Sequence, residues 1–226
     1  MNVFQKDGLR YVDEGKGENI LFLHGWGISP YSCQLIIDVL ASKYRVVAPF
    51  LKSFKGFTED EETMNSLFSK NKVIIIGHSA GGISAANFCS RFPNKVKALV
   101  LVDTVGAFKD KSMFKWVMNW LKMSLHILSN PNSLTLVLAK DFFHQILSPQ
   151  ELLKDSRFVI TEDIKLNSSF PVLILWGEQD DLINIQNGYN LQKSIQGSKF
   201  KAVEGNHYWF LTNPESLLKE IDEFVK

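Results

Sequence analysis

Short apolar runs recur along the chain and alternate with stretches in which apolar residues return every three or four positions. The runs are Ile20–Leu23, Tyr44–Ala48, Val73–Ile76, Val96–Val102, Val172–Leu175 and Phe200–Val203, some interrupted by a single lysine or arginine. A run without strict alternation predicts a strand covered on both faces, as in a parallel sheet. Between the runs, Leu35, Ile36, Val39 and Leu40 recur at helical spacing, Ile83–Phe92 and Ile185–Ile195 have the length and composition of helices, and Leu217, Leu218, Ile221, Phe224 and Val225 share one helical face. At the amino end, Val3–Gln5 and Leu9–Asp13 flank Lys6-Asp7-Gly8, and Asp-Gly predicts a tight hairpin. Strands alternating with helices predict an α/β fold: a mostly parallel central sheet of about eight strands with helices on both faces.

Boundary residues refine these elements. Ser29 followed by Pro30 predicts a helix start, Pro49 ends the Tyr44–Ala48 strand, and Phe50–Asp60 reads as a loop. Only a short helix fits between Glu61 and Lys72, and Asn213-Pro214-Glu215 opens the last helix. Residues 104–170 break the alternation. There, Phe108–Leu128 is apolar at helical spacing, Ser133–Leu147 predicts a second helix, and Ser148-Pro149-Gln150-Glu151 is the capping box of a third. The expected organisation is a core of residues 1–103 and 171–226 carrying a small helical cap, 104–170.

Composition narrows the class. The chain has 226 residues, 45% hydrophobic and 22% charged, enough for one large core. A formal charge of +1 without dense Lys/Arg blocks argues against a nucleic-acid partner. No apolar run is long enough to span a bilayer, and residues 1–15 lack the apolar stretch of a signal peptide. Cys33 and Cys89 read as small buried hydrophobes in a reducing cytoplasm, the expected location. No metal-ligand cluster and no nucleotide fingerprint is present, so no cofactor is expected.

The chemistry centres on Gly77-His78-Ser79-Ala80-Gly81. A buried strand runs into a serine flanked at two residues either side by glycine, and a helix follows. Such a nucleophile elbow strains the central residue and needs neighbours without side chains, which Gly77 and Gly81 supply. A serine there needs a base and an acid, and in an α/β sheet both belong at carboxyl ends of strands. Of five histidines, His78 sits inside the elbow, where its side chain should diverge from Ser79, and reads as a packing or supporting residue. His24 reads as a loop-ordering hydrogen bonder, and His126 and His144 lie in the cap segment. His207, directly after the last strand, is the candidate base. Asp180, in the turn after Val172–Leu175, is the chosen acid, with Asp181 as fallback and Asp103, at the end of another strand, as the other candidate.

Together, HGWG at 24–27, GHSAGG at 77–82, LWGEQD at 175–180 and GNH at 205–207 resemble the α/β-hydrolase fold superfamily, in the order Ser, Asp, His which that fold uses. The resemblance implies a serine esterase with catalytic Ser79, Asp180 and His207, and an oxyanion hole from the backbone N–H groups of Trp26 and Ala80. It implies hydrolysis of a carboxylic ester with a small to medium apolar acyl group, through an acyl-enzyme. The same scaffold also serves carbon–carbon bond hydrolases, cofactor-free perhydrolases and non-catalytic ligand-binding proteins. Phe50–Phe57 departs from the superfamily's usual Asp and glycine-rich loop, being bulkier and more basic. HGWG with a small cap further resembles the methyl esterases of biotin synthesis, which act on a pimeloyl group held by acyl carrier protein. Lys111, Lys115 and Lys122 form a narrow basic stripe which such an acidic partner could meet.

Overall fold

A computed structural model describes residues 1–51, 54, 59–68, 71–129 and 156–226. Its sheet has eight strands: β1 (Val3–Lys6), β2 (Leu9–Gly15), β3 (Glu18–Leu23), β4 (Tyr44–Pro49), β5 (Val73–His78), β6 (Val96–Val102), β7 (Val172–Gly177) and β8 (Lys199–Val203), in the order β1-β2-β4-β3-β5-β6-β7-β8. The first two pairings are antiparallel and the other five parallel. Asp7 and Gly8 both take positive φ, 46° and 84°, the backbone a two-residue hairpin loop requires. Val73–Ile76 is fully buried, which accounts for its lack of alternation. β8 sits at an edge, and its residues alternate between exposed and half-buried up to the buried Val203.

The helices are α1 (Gln34–Ala41), α2 (Glu59–Ser66), α3 (Gly81–Arg91), α4 (Met113–Ser129), α5 (Gln186–Ser194), α6 (Trp209–Thr212) and α7 (Pro214–Val225), and residues 156–161 are also helical. Two helix starts differ from expectation. α1 begins at Gln34 rather than Pro30, because Ser29 to Cys33 first form a turn closed by Cys33 N–H on the Ser29 carbonyl (3.2 Å). Its buried face follows from Cys33 through Ile36, Ile37 and Leu40, while Leu35 is 54% exposed. α4 begins at Met113 rather than Phe108, because the Asp110 carboxylate takes the Ser112 N–H (3.0 Å) and the Ser112 hydroxyl takes the Lys115 N–H (3.4 Å). Those side chains satisfy donors that a helix would otherwise leave open. The expected helices at Ser133–Leu147 and after Ser148 lie outside the described residues.

The chain leaves β3 for β4 on one side, then returns past β3 to place β5 on its other side. That reversal opens a crevice at the carboxyl ends of β3 and β5, where ligands bind in open α/β sheets. The His24–Gly27 loop and the Gly77–Gly81 turn both emerge there. No helix among the described residues is long and apolar enough to cross a membrane.

Candidate active site

Ser79 follows β5 with φ +52°, a left-handed conformation that costs a non-glycine residue on the order of 1 kcal/mol. The surroundings hold it there. Ser79 N–H donates to the Val102 carbonyl (3.0 Å), and its own carbonyl accepts from Gly82 N–H (3.0 Å), Val105 N–H (3.3 Å) and the Thr104 hydroxyl (2.7 Å). The flanking glycines are required by close approach. A Cβ on Gly77 would lie 2.7 Å from the Ala85 Cβ and 2.8 Å from the Gly81 carbonyl oxygen, and one on Gly81 only 2.2 Å from the Leu23 carbonyl oxygen. The first turn of α3 is thereby pressed against the end of β3.

Asp180 and His207 meet on the neighbouring strand ends. The turn after β7 and the loop after β8 are zipped together: Glu178 N–H donates to Val203 (2.9 Å), Gln179 N–H to Gly205 (2.9 Å), and Gly205 N–H returns to the Gln179 side chain (2.6 Å). Asp180 is buried, and one carboxylate oxygen takes the N–H groups of Leu182 and Ile183, each at 2.8 Å. Its other oxygen lies 2.8 Å from His207 Nδ1, with both side chains essentially excluded from solvent. A proton on Nδ1 leaves Nε2 of a neutral ring as the lone-pair atom. Asp181, the fallback acid, is exposed.

Ser79, His207 and Trp26 line one small cavity together with Trp116, Trp120, Met123, Val159, Leu182 and Tyr208, so α4 roofs it with apolar side chains. Its free space, about 10 Å³, is room for roughly one water. Among the described residues no partner takes the backbone N–H of Trp26 or Ala80. His24 closes the adjacent loop, with Nδ1 2.8 Å from the Gly25 carbonyl and Nε2 accepting the Leu51 N–H at 3.1 Å.

Thr104 and Trp209 carry no expectation from the sequence, whereas His78 is expected to pack in support of the elbow. Thr104 bonds the Ser79 carbonyl, His78 Nε2 lies 3.1 Å from the His207 carbonyl, and Trp209 donates its indole N–H to Asp103 at 2.7 Å. Asp103, considered as an alternative acid, accepts from Gly177 N–H and Trp209 rather than from His207. Burial, and then the Asp180 carboxylate, push its carboxyl well above the usual range, against the pull of those two donors. Burial, and then His207, hold the His78 imidazole well below its ordinary value and therefore neutral. Among the described residues no cluster of three His, Cys, Asp or Glu side chains is arranged to hold a metal ion.

The family profile described as "Serine aminopeptidase, S33" matches residues 43–209, about three quarters of the chain. The chain belongs to this family of α/β hydrolases. A pimeloyl-[acyl-carrier protein] methyl ester esterase of Aliivibrio salmonicida is 23% identical over 252 residues, covering 96% of each chain. An uncharacterized Mycobacterium tuberculosis protein is 23% identical over 261 residues, covering 93% of this chain and 76% of its own. Among solved structures, the esterase RhEst1 of Rhodococcus sp. ECU1013 superposes with a TM-score of 0.70 at 19% identity, covering 99% of this chain and 97% of that one. An esterase of Exiguobacterium antarcticum gives 0.74 at 17% identity, covering 97% and 96%. These structures share the α/β-hydrolase fold with this S33 member.

Proposed function

We propose that this S33 member is a serine esterase in which Ser79 is the nucleophile, His207 the general base and Asp180 the acid that orients it. The observation that carries the reading is the buried Asp180–His207 bond, which fixes the imidazole tautomer beside a serine held at φ +52° in the same cavity. Ser79 Oγ attacks the ester carbonyl as His207 Nε2 takes its proton. The proton then passes to the departing alcohol, and water repeats the sequence to release the acid. The open N–H groups of Trp26 and Ala80 supply the oxyanion hole, and removing one such donor typically costs about 3 kcal/mol of transition-state stabilisation.

The apolar roof of Trp116, Trp120 and Met123 supports a small to medium apolar acyl group as the substrate's buried end. With room for about one water, the site must admit a substrate by displacement of this roof. An acyl carrier protein as the bearer of the ester is the second reading, favoured by the name of the Aliivibrio relative. Lys111 is bonded to Asp163 and Lys115 to Asp110, so an acidic partner must compete with both carboxylates. Labelling by a fluorophosphonate probe that is abolished in Ser79→Ala tests the nucleophile; no labelling of the wild type overturns the proposal. Turnover of p-nitrophenyl esters of rising chain length then tests the acyl slot, and rates independent of length refute it. Exclusive activity on dienoic diketone acids or on peroxide-dependent halogenation assigns the site instead to carbon–carbon cleavage or perhydrolysis.

A further inference from the structure

Two buried polar side chains stand directly behind the site without lining its cavity, and both reach across to the segments that carry Asp180 and His207. Asp103 is fully buried at the end of β6, in a left-handed conformation with φ +44°. Its N–H continues the ladder to the Leu175 carbonyl at 3.0 Å. Its carboxylate is divided between two segments: one oxygen takes Gly177 N–H at 2.6 Å, the other the Trp209 indole at 2.7 Å. Gly177 begins the turn that ends in Asp180, and its carbonyl accepts the Asp180 N–H at 3.2 Å. Trp209 lies two residues beyond His207, and its N–H donates to the Asn206 carbonyl at 3.0 Å. The next two residues, Thr104 and Val105, bind the Ser79 carbonyl. One three-residue run therefore touches the serine, acid and base segments.

His78 makes the complementary grip from β5. Its ring packs 4.8 Å from the His207 ring and 4.5 Å from Phe210, and its Nε2–H reaches the His207 carbonyl. A neutral imidazole has one N–H, so Nδ1 is left a buried acceptor with no partner among the described residues. A Cβ on Gly25 would come within 2.8 Å of that atom, so the glycine of the adjoining loop makes room for the ring.

We propose that Asp103 and His78 are positioning residues that hold the Asp180–His207 pair in register with Ser79. This rests on the serine-esterase reading. Buried carboxylates and unpartnered ring nitrogens are poor fold glue, because apolar residues of similar volume often serve stability as well or better. What an apolar residue lacks is direction. The two Asp103 bonds fix both the acid's turn and the base's helix relative to β6, and the His78 bond fixes the backbone of the base relative to the residue preceding the nucleophile.

The test compares wild type, Asp103→Asn, Trp209→Phe and His78→Phe by p-nitrophenyl butyrate kinetics and by the low-field proton resonance of the His207 Nδ1–H···Asp180 bond. Asparagine keeps the shape of Asp103 but turns an N–H group toward a donor. Trp209→Phe removes the same anchor from the other side, and is read in its place if Asp103→Asn does not fold. Small displacements of reacting groups are costly, so kcat should fall about 10- to 100-fold in each folded variant with KM within about twofold. The low-field resonance should shift or broaden. Folded variants with kcat within about twofold of wild type and an unchanged resonance overturn the proposal. The resonance needs no substrate, so a wild type that hydrolyses no ester and escapes fluorophosphonate labelling refutes the esterase reading while the resonance still decides whether these residues set the pair's geometry.

Discussion

Gly82→Ala should be disruptive by itself and largely harmless once Thr104 is removed. A Cβ on Gly82 would lie 1.7 Å from Thr104 Oγ1 and 2.6 Å from its Cβ, distances that no small adjustment relieves. Thr104 is 1% exposed, and its hydroxyl is the 2.7 Å donor to the Ser79 carbonyl. Turning the side chain away strands a buried hydroxyl at about 2 kcal/mol, and overpacking adds about 2 more. Alanine in place of glycine in the first turn of α3 returns about 1 kcal/mol, leaving a net loss of about 3. Thr104→Gly alone should lose a similar amount, about 3 kcal/mol, from the missing hydrogen bond, the cavity and the freer backbone. In the double variant the new methyl fills the space vacated by the threonine, so its loss should stay near 3 kcal/mol, a coupling of about 3 where independent sites would add. Urea denaturation of all four proteins measures the cycle, and fluorophosphonate labelling rates show whether the Ser79 backbone shifted. Additivity within about 0.5 kcal/mol would refute the claim that this contact holds the elbow.

Two further outcomes follow from Glu61, buried on α2, and from Trp120 in the cavity roof. Burial raises Glu61 from its ordinary 4.5 to about 7, Glu62 and Asp60 adding to the effect and Arg91 opposing it. The folded protein thus keeps a proton which the unfolded chain releases, so this group's contribution to stability is full below about pH 4.5 and is lost as pH rises through about 7. Glu61→Gln should therefore lose less stability than wild type between pH 5 and pH 8 in urea melts; equal losses in the two proteins count against the assignment. Trp120→Ala removes an indole from the roof and should raise the kcat/KM ratio of p-nitrophenyl octanoate to butyrate by about fivefold or more. An unchanged ratio would mean that α4 does not bound the acyl slot.

Much of the fold was legible because burial on both faces of a parallel sheet writes itself as uninterrupted apolar residues, as in Val73–Ile76 and Val172–Leu175. The elbow was legible because the close helix–strand approach around Ser79 leaves so few choices at Gly77 and Gly81. Helix starts were less so where apolar spacing outweighed capping chemistry. Phe108 continues the pattern of α4, yet Asp110 and Ser112 place its start at Met113 through side-chain bonds to the backbone. In α1 the Leu35 side chain fits the predicted stripe, but the buried stripe runs from Cys33, the residue just before the helix, through Ile36, Ile37 and Leu40.

The residues behind the site were the least legible, and Asp103 shows why. At the end of a strand an aspartate offers three chemistries with one spelling: an acid facing a histidine, a cap on a turn, or a bridge between distant segments. Asp180 performs the first two at once, one oxygen on His207 and the other on Leu182 and Ile183. Asp103 performs the third, and its partners, Gly177 and Trp209, are 74 and 106 residues away in sequence. Local pattern carries no record of such bridges, because each partner is chosen by the sheet order rather than by its neighbours in the chain. β6 lies beside both β5 and β7, so the residue that ends it is adjacent to the serine's elbow on one side and the acid's turn on the other. A hydrogen-bonding side chain at that position can couple the two, and the topology makes this a consequence of where the strand sits.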